Sequence, residues 1–228
     1  MIIKYSIRQN KTYSEILALQ KEEFNKRIER KKNGLSLPGD VVFFVEHNPV
    51  YTIGRHGLIS HLLLSSTDLE KRGIEFQRLE RGGDITYHGP GQLTVYPILD
   101  LQRYNLGVKD YVYLLEETVI DSLREFGLTG ERIDGKTGVW ISDNGMNPRK
   151  ISAIGIYCSR FVSMHGFALN VGSDLSLFDG IVPCGLSQGV TSLSKELNID
   201  ISIDEVEETV WRNLKRLLQL RIPSQEIS

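Results

Sequence analysis

The 228-residue chain contains only two cysteines, Cys158 and Cys184. Two are too few for a disulfide framework or a four-cysteine zinc site. No apolar run approaches the roughly 20 residues of a membrane span. The opening run Met1-Ile2-Ile3-Lys4-Tyr5 lacks the long apolar core and cleavage site of a signal peptide. Neither charge dominates: Lys+Arg 27 against Asp+Glu 29 leaves −2, so no basic field calls for nucleic acid and no acidic tail for disorder. The five histidines (47, 56, 61, 88 and 165) show no metal-ligand spacing. A Walker loop and a G-x-G-x-x-G fingerprint are both missing. We therefore expect a cytoplasmic protein with two free thiols, no metal, no membrane segment and no nucleic-acid partner.

What is present suits a globular protein. The chain is 40% hydrophobic and 25% charged, and long enough to bury well over half of its unfolded surface. No repeat or Pro/Ser-rich linker divides it, so we expect one domain over 1–222 and a frayed tail at 223–228. Ile2 to Ile7 reads as a strand. Thr12 to Lys32 reads as a helix, with Thr12 and Glu15 as a capping box and Tyr13, Leu17, Phe24 and Ile28 on its apolar face. Val41 to Glu46 reads as a buried strand. A broken stretch, 47–66, precedes a short helix near Asp68 to Arg72 and a strand at Ile74 to Leu79. Val108 to Phe126 is a second long helix, with Val112, Leu115, Val119 and Leu123 on its stripe. Strands follow at Gly138 to Ile141, Ile151 to Cys158 and Val162 to Val171. A last helix runs from about Ile203 to Leu218, with Ser202 and Glu205 as its capping pair. Helices beside a mostly β middle indicate an α+β fold.

Four places could carry chemistry. Arg81-Gly82-Gly83-Asp84-Ile85-Thr86-Tyr87-His88-Gly89-Pro90-Gly91-Gln92 is glycine-rich, yet Arg81, Tyr87 and His88 exceed what turns require. A plain hairpin with two turns is the competing reading. Lys150 begins the second-last strand. With a turn centred on Arg160 it would lie opposite Asn170, with Ser152 opposite Ala168, and Lys150, Ser152 and Ile154 would share a face; a slip of one residue would invert this. A solvated lysine is the plain alternative. His165 alternates with Phe167 and Leu169, so it should point to the core as a satisfied structural histidine. Cys184, between Pro183 and Gly185, sits on a turn, whereas Cys158 ends a β run and reads as a small buried hydrophobe. A loop thiol becomes nucleophilic only where a cation favours its thiolate.

Taken together these stretches resemble the lipoyl(octanoyl) transferase family. The matching segments are Glu46 to Arg55, the Arg81 to Gln92 string, Gly135 to Ile141, Lys150-Ile151-Ser152-Ala153-Ile154-Gly155, His165 to Val171, and Pro183-Cys184-Gly185-Leu186 followed by Thr191-Ser192-Leu193. They stand in family order across roughly residues 41 to 193. The resemblance implies a biotin/lipoate protein ligase-like fold: one domain with a mainly antiparallel curved sheet and flanking helices. It implies a catalytic Cys/Lys pair, here Cys184 and Lys150. It also implies substrate-binding stretches at Arg81, Gly82, Gly83, Asp84, Ile85, Thr86, Tyr87 and His88, at Ala153, Ile154 and Gly155, and at Gly166, Phe167 and Ala168. Where the family often has Ser-Leu-Gly, this chain has Ala153-Ile154-Gly155, without the hydroxyl. The position of Asp84 varies in the family, so its side chain is assigned no chemical role.

The implied activity moves an octanoyl or lipoyl group from octanoyl-acyl carrier protein to a lysine of a lipoyl domain, with no cofactor. The implied acceptors are the lipoyl domains of 2-oxoacid dehydrogenase E2 subunits and the glycine cleavage H protein. A cysteine nucleophile suits a thioester donor. Lys150 would either favour the Cys184 thiolate by its charge or relay protons. Two rivals share the fold: an ATP-dependent lipoate ligase, and a binding module that makes Cys184 and Lys150 dispensable. No long exposed apolar element demands a dimer, so a monomer is expected.

Overall fold

The computed structural model describes residues 2–8, 11–182 and 189–222. The expected frayed tail, and the segment Pro183-Cys184-Gly185-Leu186 for which a turn is expected, lie outside the described residues. The chain order is β1 (Ile2–Arg8), α1 (Tyr13–Lys32), β2 (Asp40–Glu46), β3 (Val50–Ile53), α2 (Ser66–Arg72), β4 (Glu75–Arg78), β5 (Ile85–His88), β6 (Gln92–Ile98), α3 (Val108–Glu125), β7 (Glu131–Ile133), β8 (Lys136–Asp143), β9 (Met146–Ser159), β10 (Val162–Asn170), α4 (Leu193–Leu197) and α5 (Ile203–Gln219). A seven-stranded sheet has the order β1-β2-β6-β10-β9-β8-β7, and a three-stranded sheet the order β4-β3-β5. In the large sheet only β1 and β2 run parallel. This is the mainly antiparallel α+β arrangement expected.

Both faces of the large sheet are covered, which explains why β2 is a continuous apolar run. One face packs Val42, Phe44, Leu93, Val95 and Phe167 with α3 and α5 residues such as Leu115, Val119, Val210 and Leu214. The other packs Phe43, Val45, Tyr96 and Met164 against Ile16, Phe24 and Ile28 of α1. The capping box of α1 is present, with Thr12 accepting from the Glu15 N–H. Tyr13, Phe24 and Ile28 are buried as expected and Leu17 only partly so, while the inward face also takes in Ile16, Gln20 and Arg27. At α5, Ser202 accepts from the Asp204 N–H, not from Glu205 as expected.

Three strands went unread in the sequence. β3 lies in the stretch expected to be broken, and pairs with both β4 and β5. β6 is an inner strand of the large sheet, between β2 and β10. β7 is a three-residue strand at the edge of that sheet, paired with β8. The hairpin reading of Arg81–Gln92 is therefore wrong. β5 belongs to the small sheet and β6 to the large one, and the segment 89–91 carries the chain between them. Gly91 is tied to that crossing by its φ of +77° and by the Gly172 backbone, 2.6 Å from where a Cβ would sit.

Candidate active site

The site is built on the β9–β10 hairpin. Arg160 and Phe161 form its two-residue turn, with φ of 48° and 60°, the paired left-handed conformations that match strand twist. The turn is one residue shorter than the expected Ser159-Arg160-Phe161 loop centred on Arg160, because Ser159 pairs with Val162, and the register moves by one. Ser152 lies opposite Leu169, Ala153 opposite Ala168 and Gly155 opposite Gly166. Lys150 does not meet Asn170; it forms a parallel bridge with Val190. Its N–H donates to the Gly189 carbonyl at 2.9 Å and its carbonyl accepts from the Thr191 N–H at 3.0 Å. A register shift against β8 between Val139 and Trp140 also breaks the expected face-sharing. Ser152 is fully buried, whereas Lys150, Ala153, Ile154 and Gly155 line a cavity.

The opening between β6 and β10 has a local cause. Pro97 has no N–H to give, so the ladder ends at the Phe167–Val95 pair. It resumes at Ser163, whose hydroxyl accepts from the Leu99 N–H at 3.0 Å and donates to the Pro97 carbonyl at 2.8 Å. Between these points His165 has φ +61°, which breaks the alternation expected for it. Phe167 and Leu169 join the core under α3 and α5. His165 instead meets Tyr96 edge-on, lines the cavity, and has a buried Nδ1 without a hydrogen-bond partner. The expectation of a satisfied core histidine does not hold.

The cavity encloses about 340 Å³, at the small end of the roughly 300–1,000 Å³ typical of small-molecule sites. It gathers Arg81, Gly83, Asp84, Ile85, Thr86, His88, Lys150, Ala153, Ile154, Gly155, Gly166, Phe167 and Ala168 from four separate stretches. Gly82 and Tyr87 are not on its wall. The Gly82 N–H donates to the Ile156 carbonyl at 2.9 Å, and Tyr87 packs with Tyr51 and Phe178 in the core of the small sheet. Cys184 lies outside the described residues. Sequence reasoning missed the wall residues Tyr13, Gln92, Thr94, Tyr96 and Asn170. Gln92 and Asn170 stood inside the quoted motifs as polar residues in strands, which was the available signal.

The electrostatics are those of an uncharged inner end beside the charged wall residues Arg81, Lys136, Lys150 and Asp84. The Arg81 guanidinium donates to the Thr52 carbonyl at 2.7 Å and to its hydroxyl at 2.8 Å. Burial, assisted by Arg81, lowers His165 to about 3. Burial also lowers His88 to about 4, against the opposing effect of its hydrogen bond to Gln92. His47 falls well below its ordinary value, again by burial, and its Nε2 bonds the Tyr96 hydroxyl at 2.8 Å. Burial raises Tyr13 to about 12. These groups are neutral at pH 7, so the inner end suits a neutral ligand. Lys150 stands on the wall, its Nζ 3.3 Å from the Thr137 carbonyl and 4.6 Å from the Trp140 ring centroid. Asp84 turns its carboxylate to His61 Nδ1 at 2.5 Å. Among the described residues no group of three or more His, Cys, Asp or Glu side chains could hold a metal. No helix among them is long and apolar enough to cross a membrane.

Known proteins place this geometry. Residues 12–215 match the lipoyl protein ligase A/B catalytic domain. An octanoyltransferase of Flavobacterium johnsoniae is 44% identical over 93% of this chain and 95% of its own length. One from Parabacteroides distasonis is 49% identical over 82% of this chain and 85% of its own. Among solved structures, a bipartite lipoate protein ligase from Thermoplasma acidophilum shares the fold, with a TM-score of 0.72 at 18% identity over 96% of this chain and 85% of that one. The chain belongs to the lipoyl protein ligase A/B catalytic domain family.

Proposed function

We propose that the protein is an acyltransferase that moves an octanoyl group from octanoyl-acyl carrier protein to a lysine of a lipoyl domain, in protein lipoylation. The observation that carries this reading is the octanoyltransferase name shared by relatives at 44% and 49% identity. The lipoate protein ligase shares the fold at 18% identity, which speaks for architecture alone. The neutral inner end of the cavity supports the reading, because an acyl chain carries no charge to be met. In this reading residues 1–222 act as one catalytic domain in the cytoplasm. The acceptors are the lipoyl domains of 2-oxoacid dehydrogenase E2 subunits and the glycine cleavage H protein.

The mechanism follows from thioester chemistry. The Cys184 thiolate attacks the acyl carbonyl, and the tetrahedral intermediate collapses with loss of the carrier thiolate, which takes up a proton. The acceptor amine then attacks the enzyme thioester, an amide bond forms, the amine gives up a proton, and Cys184 leaves as thiolate. One thioester is lost and one amide formed, with no nucleotide consumed. What supports a role for Lys150 is that its backbone bonds Gly189 and Thr191, which follow Pro183-Cys184-Gly185 closely along the chain. Its ammonium either favours the thiolate or carries the protons. Arg81, His88 and the β9–β10 wall from Ala153 to Gly155 and Gly166 to Ala168 hold the acyl group.

Intact-mass spectrometry tests the reading. Mixing with octanoyl-acyl carrier protein should add one octanoyl group to the protein, and Cys184→Ala should remove that adduct and transfer. Cys158→Ala should keep both, since the Cys158 thiol is pushed up by burial and lies away from the cavity wall. Full transfer by Cys184→Ala would refute the covalent route.

A further inference from the structure

A line of buried polar groups joins the two walls of the cavity. His88 Nδ1 lies 2.7 Å from Gln92 Oε1. Gln92 Nε2 lies 2.8 Å from Asn170 Oδ1 and 3.1 Å from the Tyr87 carbonyl. Asn170 Nδ2 lies 2.9 Å from the Thr191 carbonyl, and the Thr191 N–H donates to the carbonyl of Lys150. On the other side, His88 Nε2 lies 3.4 Å from the Thr52 hydroxyl, which accepts from Arg81. Gln92, Asn170 and Thr191 are 2%, 4% and 0% exposed, respectively (water therefore has little access to the line). 

The two backbone carbonyls fix every direction along it. A carbonyl only accepts, so the Asn170 atom facing Thr191 is the NH₂, and its oxygen faces Gln92. The Gln92 atom facing the Tyr87 carbonyl is likewise its NH₂, so its oxygen faces His88. A ring nitrogen that meets an amide oxygen must carry the proton. From this we propose that Gln92 and Asn170 are positioning residues: they hold His88 as the Nδ1-protonated tautomer and tie it to the backbone beside Lys150. The Nε2 lone pair then receives the Thr52 hydroxyl proton. That leaves the lone pairs of the hydroxyl, with the Thr52 carbonyl, to hold the Arg81 guanidinium. Fully paired buried networks of this kind set one geometry, and half-paired ones lose it. Asn170 is thus the link between the Arg81–His88 wall and the Lys150 strand.

The role in transfer rests on the proposed octanoyl transfer, but the tautomer does not, so the two are tested apart. The first measurement is a long-range ¹H–¹⁵N spectrum of the His88 ring in the full chain near pH 7. Wild type should show a single Nδ1–H tautomer. Gln92→Leu removes the acceptor for the His88 Nδ1–H and should bring in the Nε2–H tautomer. Thr52→Val removes only the far-side hydroxyl and should keep Nδ1–H. A wild-type Nε2–H signal, or a Gln92→Leu spectrum identical to wild type, would overturn the proposal; so would tautomer mixing in Thr52→Val if Gln92→Leu does not fold. The second measurement is single-turnover acyl transfer. Misplacing one wall of a site by about an ångström costs on the order of 100-fold in rate, so Asn170→Leu should lower kcat by about that factor with little change in KM. A loss confined to KM would refute the positioning role. Absence of any transfer by wild type would refute the function reading alone and leave the spectra to judge the tautomer.

Discussion

Substitution of Gly166 by alanine tests the account of the cavity wall most directly. A Cβ built on Gly166 falls 2.1 Å from the Val95 carbonyl oxygen and 2.8 Å from Pro97 Cδ. Ordinary contact begins near 3.4 Å, so β6 and β10 must separate by more than an ångström at the centre of the large sheet. Neither obstacle is a flexible side chain, so local give is not available. Overpacking of this kind typically costs about 1–3 kcal/mol. For a chain of this size that corresponds to a fall in Tm of about 2–12 °C. The comparison variant is Gly82→Ala. A Cβ there meets only the Ile156 carbonyl, at 3.7 Å, and φ is not left-handed. It should be neutral or gain up to about 1 kcal/mol by restricting the unfolded chain. Urea unfolding at pH 7.5 gives both values. A Gly166→Ala midpoint equivalent to within about 0.5 kcal/mol of wild type, the range of inert surface changes, would refute the close approach of the two strands.

Three further outcomes are expected. If the Lys150 charge stabilises the Cys184 thiolate, an effect worth about 1–3 pH units on the thiol, Lys150→Met should slow iodoacetamide labelling of Cys184 at neutral pH and recover at higher pH; superimposable profiles would leave Lys150 at most a proton carrier. Lys150→Arg keeps the charge but holds its proton, so it should label like wild type and still transfer poorly if proton relay is the role. Transfer should proceed in chelator without nucleotide, and an absolute need for ATP would favour the ligase. His88 and His165 are lowered to about 4 and about 3, so the unfolded state binds their protons first; stability should be complete above pH 6.5 and fall by about 1.4 kcal/mol per pH unit for each as pH drops toward 4. A urea midpoint flat between pH 7 and pH 5 would contradict their burial as neutral rings.

The parts of the fold that could be read in the sequence were those whose signals are local. The capping box at Thr12, the stripe of α3 and the hairpin of β9 and β10 are of this kind. What stayed hidden depended on tertiary pairing. β6 carries Pro97, which argues against a central strand until it is seen that the missing N–H coincides with the opening at His165. β3 is four residues long and buried on every side, so it offers no alternation to read. The inner face of α1 includes Gln20 and Arg27, polar residues that an apolar stripe omits; Gln20 accepts from the His165 N–H, and Arg27 donates to the Glu23 and Gly39 carbonyls. The register of β9 and β10 turned on whether two or three residues make the turn, which sequence spacing alone does not decide.

Ala153 shows how a departure from the family pattern becomes intelligible in the structure. In place of the serine often found there, it lies opposite Ala168 across the β9–β10 ladder, and both residues line the cavity. The next pairs along are Ile154 with Phe167 and Gly155 with Gly166. A serine at 153 would place a hydroxyl beside the Ala168 methyl on the cavity wall. Alanine instead continues an apolar surface from Ile154 to Phe167. Ala153→Ser should therefore weaken binding of a neutral acyl chain unless its hydroxyl finds a partner on the substrate. A comparison of KM for octanoyl and shorter acyl donors separates the two cases: uniform change marks a partner near the carbonyl, and change that grows with chain length marks lost apolar wall.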